Sequence, residues 1–161
     1  MTSEFSIALH ILGFLASRRG DPLTSEEIAR TYGTSPVVVR RVLAKLQRAG
    51  LVESRRGVGG GSVLARSPSQ INLRQAYEAI SPEPDILPRH PGSCQEVLPA
   101  ILAGFVNELC SEAERAMLKR LESVTVQRMD RTIRVRLRTA MPAGRIVRDT
   151  SPRVSEERAA S

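Results

Sequence analysis

Phe5, Ala8, Leu9, Ile11, Leu12 and Leu15 recur at spacings of three and four, the period of one helix face, and the run closes at Ser17-Arg18-Arg19-Gly20. Asp21-Pro22 predicts a turn. Thr24 stands three residues before Glu27, the spacing at which hydroxyl and carboxylate each satisfy a free backbone N–H, and this predicts a short helix from Ser25 to about Tyr32, stopped by Gly33. Ser35 followed by Pro36 predicts a third helix, with serine as N-cap and proline where its missing N–H costs nothing. Val39, Val42, Leu43 and Leu46 share its inward face up to Ala49-Gly50.

Leu51 to Arg55 and Ser62 to Ala65 are brief extended runs around Arg56-Gly57-Val58-Gly59-Gly60-Gly61, a pattern that predicts a hairpin. Residues 70–80 suit a fourth helix capped by Asn72. Five prolines (82, 84, 88, 91 and 99) fall between Ser81 and Pro99, and residues 81–97 are read as a connector. From Leu98 a longer helix is expected, its stripe running through Ile101, Leu102, Phe105, Leu109, Ala113, Ala116 and Leu121, with Pro99 tolerated only in the first turn. Such a stripe, far from a closed core, packs on a symmetry mate. Residues 98–139 are therefore read as a dimerisation region, with Leu98, Ile101, Leu102, Phe105 and Leu109 at the contact. Residues 140–161 read as a disordered basic tail.

Ala29, Gly33 and Val39 fall where a helix-turn-helix needs a small residue at the crossing, a glycine at the turn and an apolar lock on the second helix. The fold expected is mainly α: a winged helix-turn-helix over residues 1–80, with a two-stranded β wing and a long C-terminal dimerisation helix. Composition adds that the core is aliphatic, since aromatics are 3% of 161 residues and Trp is absent. No run of 18 apolar residues occurs and the start lacks a secretory signal's cationic front, so a cytoplasmic protein with no membrane partner is expected.

Charge is unevenly placed. The chain carries +7, but residues 34–66 alone hold Arg40, Arg41, Lys45, Arg48, Arg55, Arg56 and Arg66 against Glu53, a surplus of six. A solvated surface mixes its signs, so this stripe reads as a footprint for the phosphates of double-stranded DNA. With the apolar face of helix three turned inward, Val37, Val38, Arg40, Arg41 and Lys45 are expected outward. Arginine pairs bidentately with guanine O6 and N7, and valine touches a thymine methyl. Ser35 and the first free N–H groups suit a phosphate, and Arg55 and Arg56 suit a narrow minor groove. Two other readings compete: a winged helix that docks a protein through Val37 and Val38, and unselective nucleic-acid coating by the basic tail. No Ser/His/Asp set, carboxylate pair or Walker motif is present, so no catalysis is expected.

Ala8-Leu9-His10, Thr34-Ser35-Pro36-Val37-Val38-Val39-Arg40-Arg41, Ala49-Gly50-Leu51-Val52 and the arginine-glycine wing together resemble the Rrf-two family of bacterial winged-helix transcription regulators, and most nearly its cluster-free, YwnA-like branch. The resemblance implies a homodimer on an inverted-repeat operator, more in the manner of a repressor than an activator and associated with the bacterial nucleoid. It implies a minor-groove role for Arg56 and the flanking Gly59 and Gly60, and base reading by Val37, Arg40 and Arg41. Arg40 stands where a cluster-bearing member has glutamate, which implies a different operator. Cluster-bearing members use three connector cysteines with a ligand from helix one. This chain offers Cys94, Cys110 and His10, and Ser6 where an acidic ligand would stand, so a 2Fe–2S cofactor lacks a full ligand set and no cofactor is expected, with a cluster-sensing regulator on those three donors as the alternative reading. Cys110 lies among apolar helix positions, whereas Cys94, beside Gly92 and Ser93, is placed for oxidation as a redox switch.

Overall fold

The computed structural model describes residues 3–81 and 97–140. Its elements are α1 (Ser3–Ser17), α2 (Ser25–Tyr32), α3 (Pro36–Arg48), β1 (Val52–Arg55), β2 (Gly61–Leu64), α4 (Leu73–Ile80), α5 (Val97–Glu122) and α6 (Val126–Ala140). Local sequence sets most of the boundaries. The Thr24 hydroxyl accepts from the Glu27 N–H while the Glu27 carboxylate accepts from the Thr24 N–H. Asn72 and Gln75 repeat that reciprocal pair at α4. At α3, Ser35 Oγ accepts from the Val37 N–H, with Pro36 at the first position.

Helix α1 runs through the middle of the molecule. Phe5, Ile7, Ala8, Ile11, Leu12 and Leu15 are all buried, a wider arc than one face, because α2, α3, α4, α6 and β2 all pack against this helix. Ile28 and Ala29 from α2, the Val39–Leu46 face of α3, Leu51, Val52, Ile71 and the inner face of α4 complete the core. Phe5 and Tyr77 meet edge to face, with centroids 5.3 Å apart.

The turn between α2 and α3 is held by Gly33 in the left-handed region (φ 74°, ψ 38°), with the N–H groups of Gly33 and Thr34 both donating to the Ala29 carbonyl. The wing is an antiparallel pair in the register Val52↔Leu64 to Arg55↔Gly61. Leu23, just before α2, exchanges two backbone hydrogen bonds with Ser62 (3.0 and 2.8 Å), which ties the wing to the start of the helix-turn-helix.

Residues 98–139 hold two helices. Helix α5 ends at Glu122, and Thr125 opens α6 by accepting from the Arg128 N–H at 3.2 Å. The link is pinned to the entrance of α4: Leu73 donates to the Val124 carbonyl, Val126 to that of Ile71, and Gln127 to that of Pro68. Helix α6 therefore folds back onto α1, where the Met129 side chain lies beside Gly13. Pro99 falls in the first turn of α5. The 141–161 part of the expected tail, nearly all of the expected connector and Cys94 lie outside the described residues.

Candidate nucleic-acid interface

The surface of α3 that faces away from the core carries Val37, Arg40, Arg41, Ala44 and Arg48, steps of three, four, seven and eleven from Val37. Val37 is 68% exposed, but Val38 is half-buried against the core, so the expected outward pair is in fact one valine. Because Ser35 accepts from Val37 and Pro36 has no N–H, the first turn of α3 offers the Val38 N–H to a phosphate.

The basic side chains divide by what they touch. Arg40 is ion-paired with Glu26 of α2 and donates through Nε to Ser25 Oγ at 3.1 Å. Arg41 Nε lies 3.0 Å from Glu4 Oε1 at the start of α1. Lys45 was expected outward; it is instead half-buried, because Glu4 Oε2 at 2.7 Å and the Ile80 carbonyl at 3.3 Å draw it between α1 and α4. The Lys45 hydrogen bond, ahead of the charges of Lys45 and Arg41, holds the Glu4 carboxyl below its ordinary value despite some burial. Glu26 is lowered as well, first by its own backbone N–H, then by Arg40 and Ser25. Neither carboxylate lies in residues 34–66. Counting both with Glu53 reduces the surplus of positive charge on this surface from six to four.

On the wing, Arg55 donates to the Gly20 carbonyl at 3.2 Å and sits 3.9 Å from Glu53. Arg56 is exposed and makes no ion pair or side-chain hydrogen bond among the described residues. The loop beyond it turns through Gly57 and Gly59 at positive φ, and the Gly60 N–H donates back to the Gly57 carbonyl at 3.0 Å. Arg66, counted in the stripe, has a structural partner: it donates to the Gly50 carbonyl at 3.1 Å and the Ala49 carbonyl at 3.5 Å, satisfying the end of α3.

Arg48 belongs to the exposed stripe by spacing alone and was legible from Arg41 and Ala44; Glu4, Ser25 and Glu26 carried no such signal. On α5, Leu98, Ile101, Leu102, Phe105, Val106 and Leu109 are all more than a third exposed, while Met117, Leu118 and Leu121 in its second half pack on the core.

Of the candidate cluster donors, His10 and Cys110 are described and Cys94 is not. His10 is exposed on α1, with Nδ1 2.8 Å from the Ser6 carbonyl and its ring against Tyr32 at 4.3 Å. Cys110 is half-buried on α5. Among the described residues no three His, Cys, Asp or Glu side chains converge as a metal site, and Ser6 supplies a hydroxyl rather than a carboxylate. Cys94, Cys110 and His10 are three of the four donors that such a cluster needs.

The family model Rrf2, described as an iron-dependent transcriptional regulator, matches residues 1–131. YwnA of Bacillus subtilis, which carries the name of an HTH-type transcriptional regulator, is 28% identical over 134 residues, 75% of this chain and 98% of its own length. Among solved structures, CymR (YrzC), titled the global cysteine regulator of B. subtilis, is similar with a TM-score of 0.64 at 26% identity, covering 82% of this chain and 96% of that one. T. potens IscR, at 20% identity, shares the fold with a TM-score of 0.66 over 89% and 93% of the two chains. Among the described residues no helix is long and apolar enough to cross a membrane. A winged helix-turn-helix with an arginine-bearing outer helix and a family match over residues 1–131 places this chain in the Rrf2 family, as a DNA-binding transcriptional regulator and not an enzyme.

Proposed function

We propose that two copies of this chain, joined through α5, occupy an inverted-repeat operator on the chromosome and repress by occupancy, in the cytoplasm at the nucleoid. The observation that carries this reading is the exposed Val37–Arg40–Arg41–Arg48 stripe beside the unpaired Arg56 of the wing. A helix of α3's width enters a major groove, with Arg41 and Arg40 set to meet guanine and Val37 a thymine methyl. Arg56 then reaches the adjacent minor groove, where narrow A·T tracts concentrate negative potential.

The apolar residues of α5 support pairing of two copies. Leu98, Ile101, Leu102, Phe105, Val106 and Leu109 spread over roughly 140° of the helix at about 100° per residue, more than a two-helix seam covers. A groove of about 560 Å³ between α1 and α6, lined by Leu9, Gly13, Phe14, Met129, Ile133 and Leu137, offers a second apolar surface for that arc. The signal we assign to Cys94, whose oxidation alters operator affinity; a Cys94→Ser protein that still responds to oxidant like wild type removes that assignment.

Duplexes recovered by the wild-type protein from a randomised pool, followed by anisotropy across a salt series, test the reading. Arg56→Ala should reduce the salt slope by about one and lose affinity chiefly at A·T-rich flanks. Arg41→Ala should relax preference at one position per half-site. Recovery of no shared sequence, or a footprint indifferent to both substitutions, overturns it.

A further inference from the structure

Arg40 is held from one side. A guanidinium presents paired N–H donors along two edges, Nε with Nη2 and Nη1 with Nη2. The first edge is already engaged: Nε donates to Ser25 Oγ at 3.1 Å, and Nη2 is paired with Glu26 Oε1. The Ser25 hydroxyl in turn donates to Glu26 Oε2 at 3.0 Å, closing a ring of three side chains. Ser25 and Glu26 form the first turn of α2, which the Thr24–Glu27 capping box and the Leu23–Ser62 bridge fix in place. The Nη1–Nη2 edge has no partner among the described residues, and the side chain is 59% exposed.

We infer that Ser25 and Glu26 are specificity-determining residues, a buttress that holds Arg40 by one edge so that its other edge meets a single guanine. The inference rests on α3 facing the bases of a duplex. Two physical effects follow from the ring. An arginine already fixed in its bidentate pose gives up less side-chain freedom on meeting O6 and N7, which favours the matching base. Glu26 also sets a negative charge, itself 52% exposed, beside the one group most able to clasp any phosphate, so random duplex is disfavoured. Glu26 thus acts through Arg40 as a positioning residue, and it separates selected sites from the bulk of DNA by moving the two affinities in opposite directions.

The test uses the full chain and two sets of probes: duplexes recovered from a randomised pool by the wild-type protein, with each G·C pair replaced in turn, and a duplex of scrambled sequence. Glu26→Ala alters an exposed side chain and Ser25→Ala a half-buried one at the helix start, and both should fold as wild type. Glu26→Ala should weaken the recovered duplex by roughly tenfold and tighten scrambled duplex severalfold. The penalty for replacing one particular G·C pair should collapse from a value in the range of about 5- to 150-fold toward none. Ser25→Ala, which keeps the charge of Glu26, should weaken the recovered duplex and lower that G·C penalty in smaller measure while leaving scrambled duplex unchanged. Arg40→Ala should lose the same pair, and adding Glu26→Ala to it should change that pair no further. Equal tightening of both duplexes would mean that Glu26 only masks a phosphate-binding arginine, and unchanged discrimination would mean that the ring is incidental; either overturns the inference while leaving the regulator intact. A wild-type protein that recovers no sequence overturns instead the reading on which it rests.

Discussion

Lys45 of the outer helix and Glu4, in the first turn of α1, meet with Nζ 2.7 Å from Oε2, and the same ammonium reaches the Ile80 carbonyl at 3.3 Å. A residue in the middle of the basic stripe thereby joins α1, α3 and α4. Replacing Lys45 with Met should lower stability by about 1 kcal/mol, more than it alters the salt dependence of binding. The sign of the pH dependence follows from Glu4, whose native carboxyl titrates below its unfolded value. Its contribution is fully present above the pH at which an unfolded-chain glutamate ionises, and is lost as pH falls through the lower native value. Thermal unfolding of Glu4→Gln and wild type should therefore differ near neutrality and converge in acid. Parallel curves throughout would remove the pair from the stability of the fold.

Two turn glycines, Gly60 in the wing and Gly33 between α2 and α3, differ in what they prevent. A Cβ on Gly60 would collide with the carbonyl oxygens of Arg55 and Gly57, whereas one on Gly33 would meet nothing and suffer only its positive φ. Gly33→Ala should cost about 1 kcal/mol. Gly60→Ala should force the hairpin tip open, cost about 1–3 kcal/mol locally and weaken duplex binding about tenfold by moving Arg56, a loss of the size of one good contact. Amide exchange across residues 55–61, read beside affinity, checks both.

Leu102 and Phe105 are 59% and 62% exposed on α5. Burying each against a second copy is worth about 1.5–3 kcal/mol, so glutamate at both positions should yield monomers. Light scattering should show half the mass, circular dichroism should be unchanged, and affinity for a two-half-site duplex should fall by about 100-fold, since the second half-site no longer binds in the same molecule. A double variant that stays dimeric would place the interface elsewhere.

The donor set predicts the colour of the protein. With two cysteines in the chain, His10 turned toward Ser6 and Tyr32, and no acidic side chain at Ser6, anaerobically purified protein should contain no stoichiometric iron and no visible charge-transfer band. A band that disappears on Cys94→Ser would overturn this.

What sequence reveals here is whatever a few neighbouring residues decide. Thr24 with Glu27, Ser35 with Pro36, and Asn72 ahead of its helix set their helix starts without help from the rest of the chain, and the hairpin follows from its glycines. The start of α6 was hidden because Thr125 lacks an acidic partner three residues on and is flanked by Val124 and Val126, which continue the apolar rhythm of α5; its place is set instead by hydrogen bonds to Pro68, Ile71 and Leu73. Long-range pairs were equally silent. Nothing near Lys45 announces Glu4, 41 residues away, and nothing near Arg40 announces Glu26. Stripe arithmetic found the basic surface but overstated how much of its charge is unopposed.

Arg66, just past β2, donates to the Ala49 and Gly50 carbonyls at the end of α3, while Leu23 holds Ser62 within that same strand. The two parts that would straddle a sugar-phosphate ridge are thus locked like the jaws of a fixed calliper. Their gap cannot stretch, so a half-site lengthened by a single base pair between the two tracts is not a weaker version of the same address but a different one.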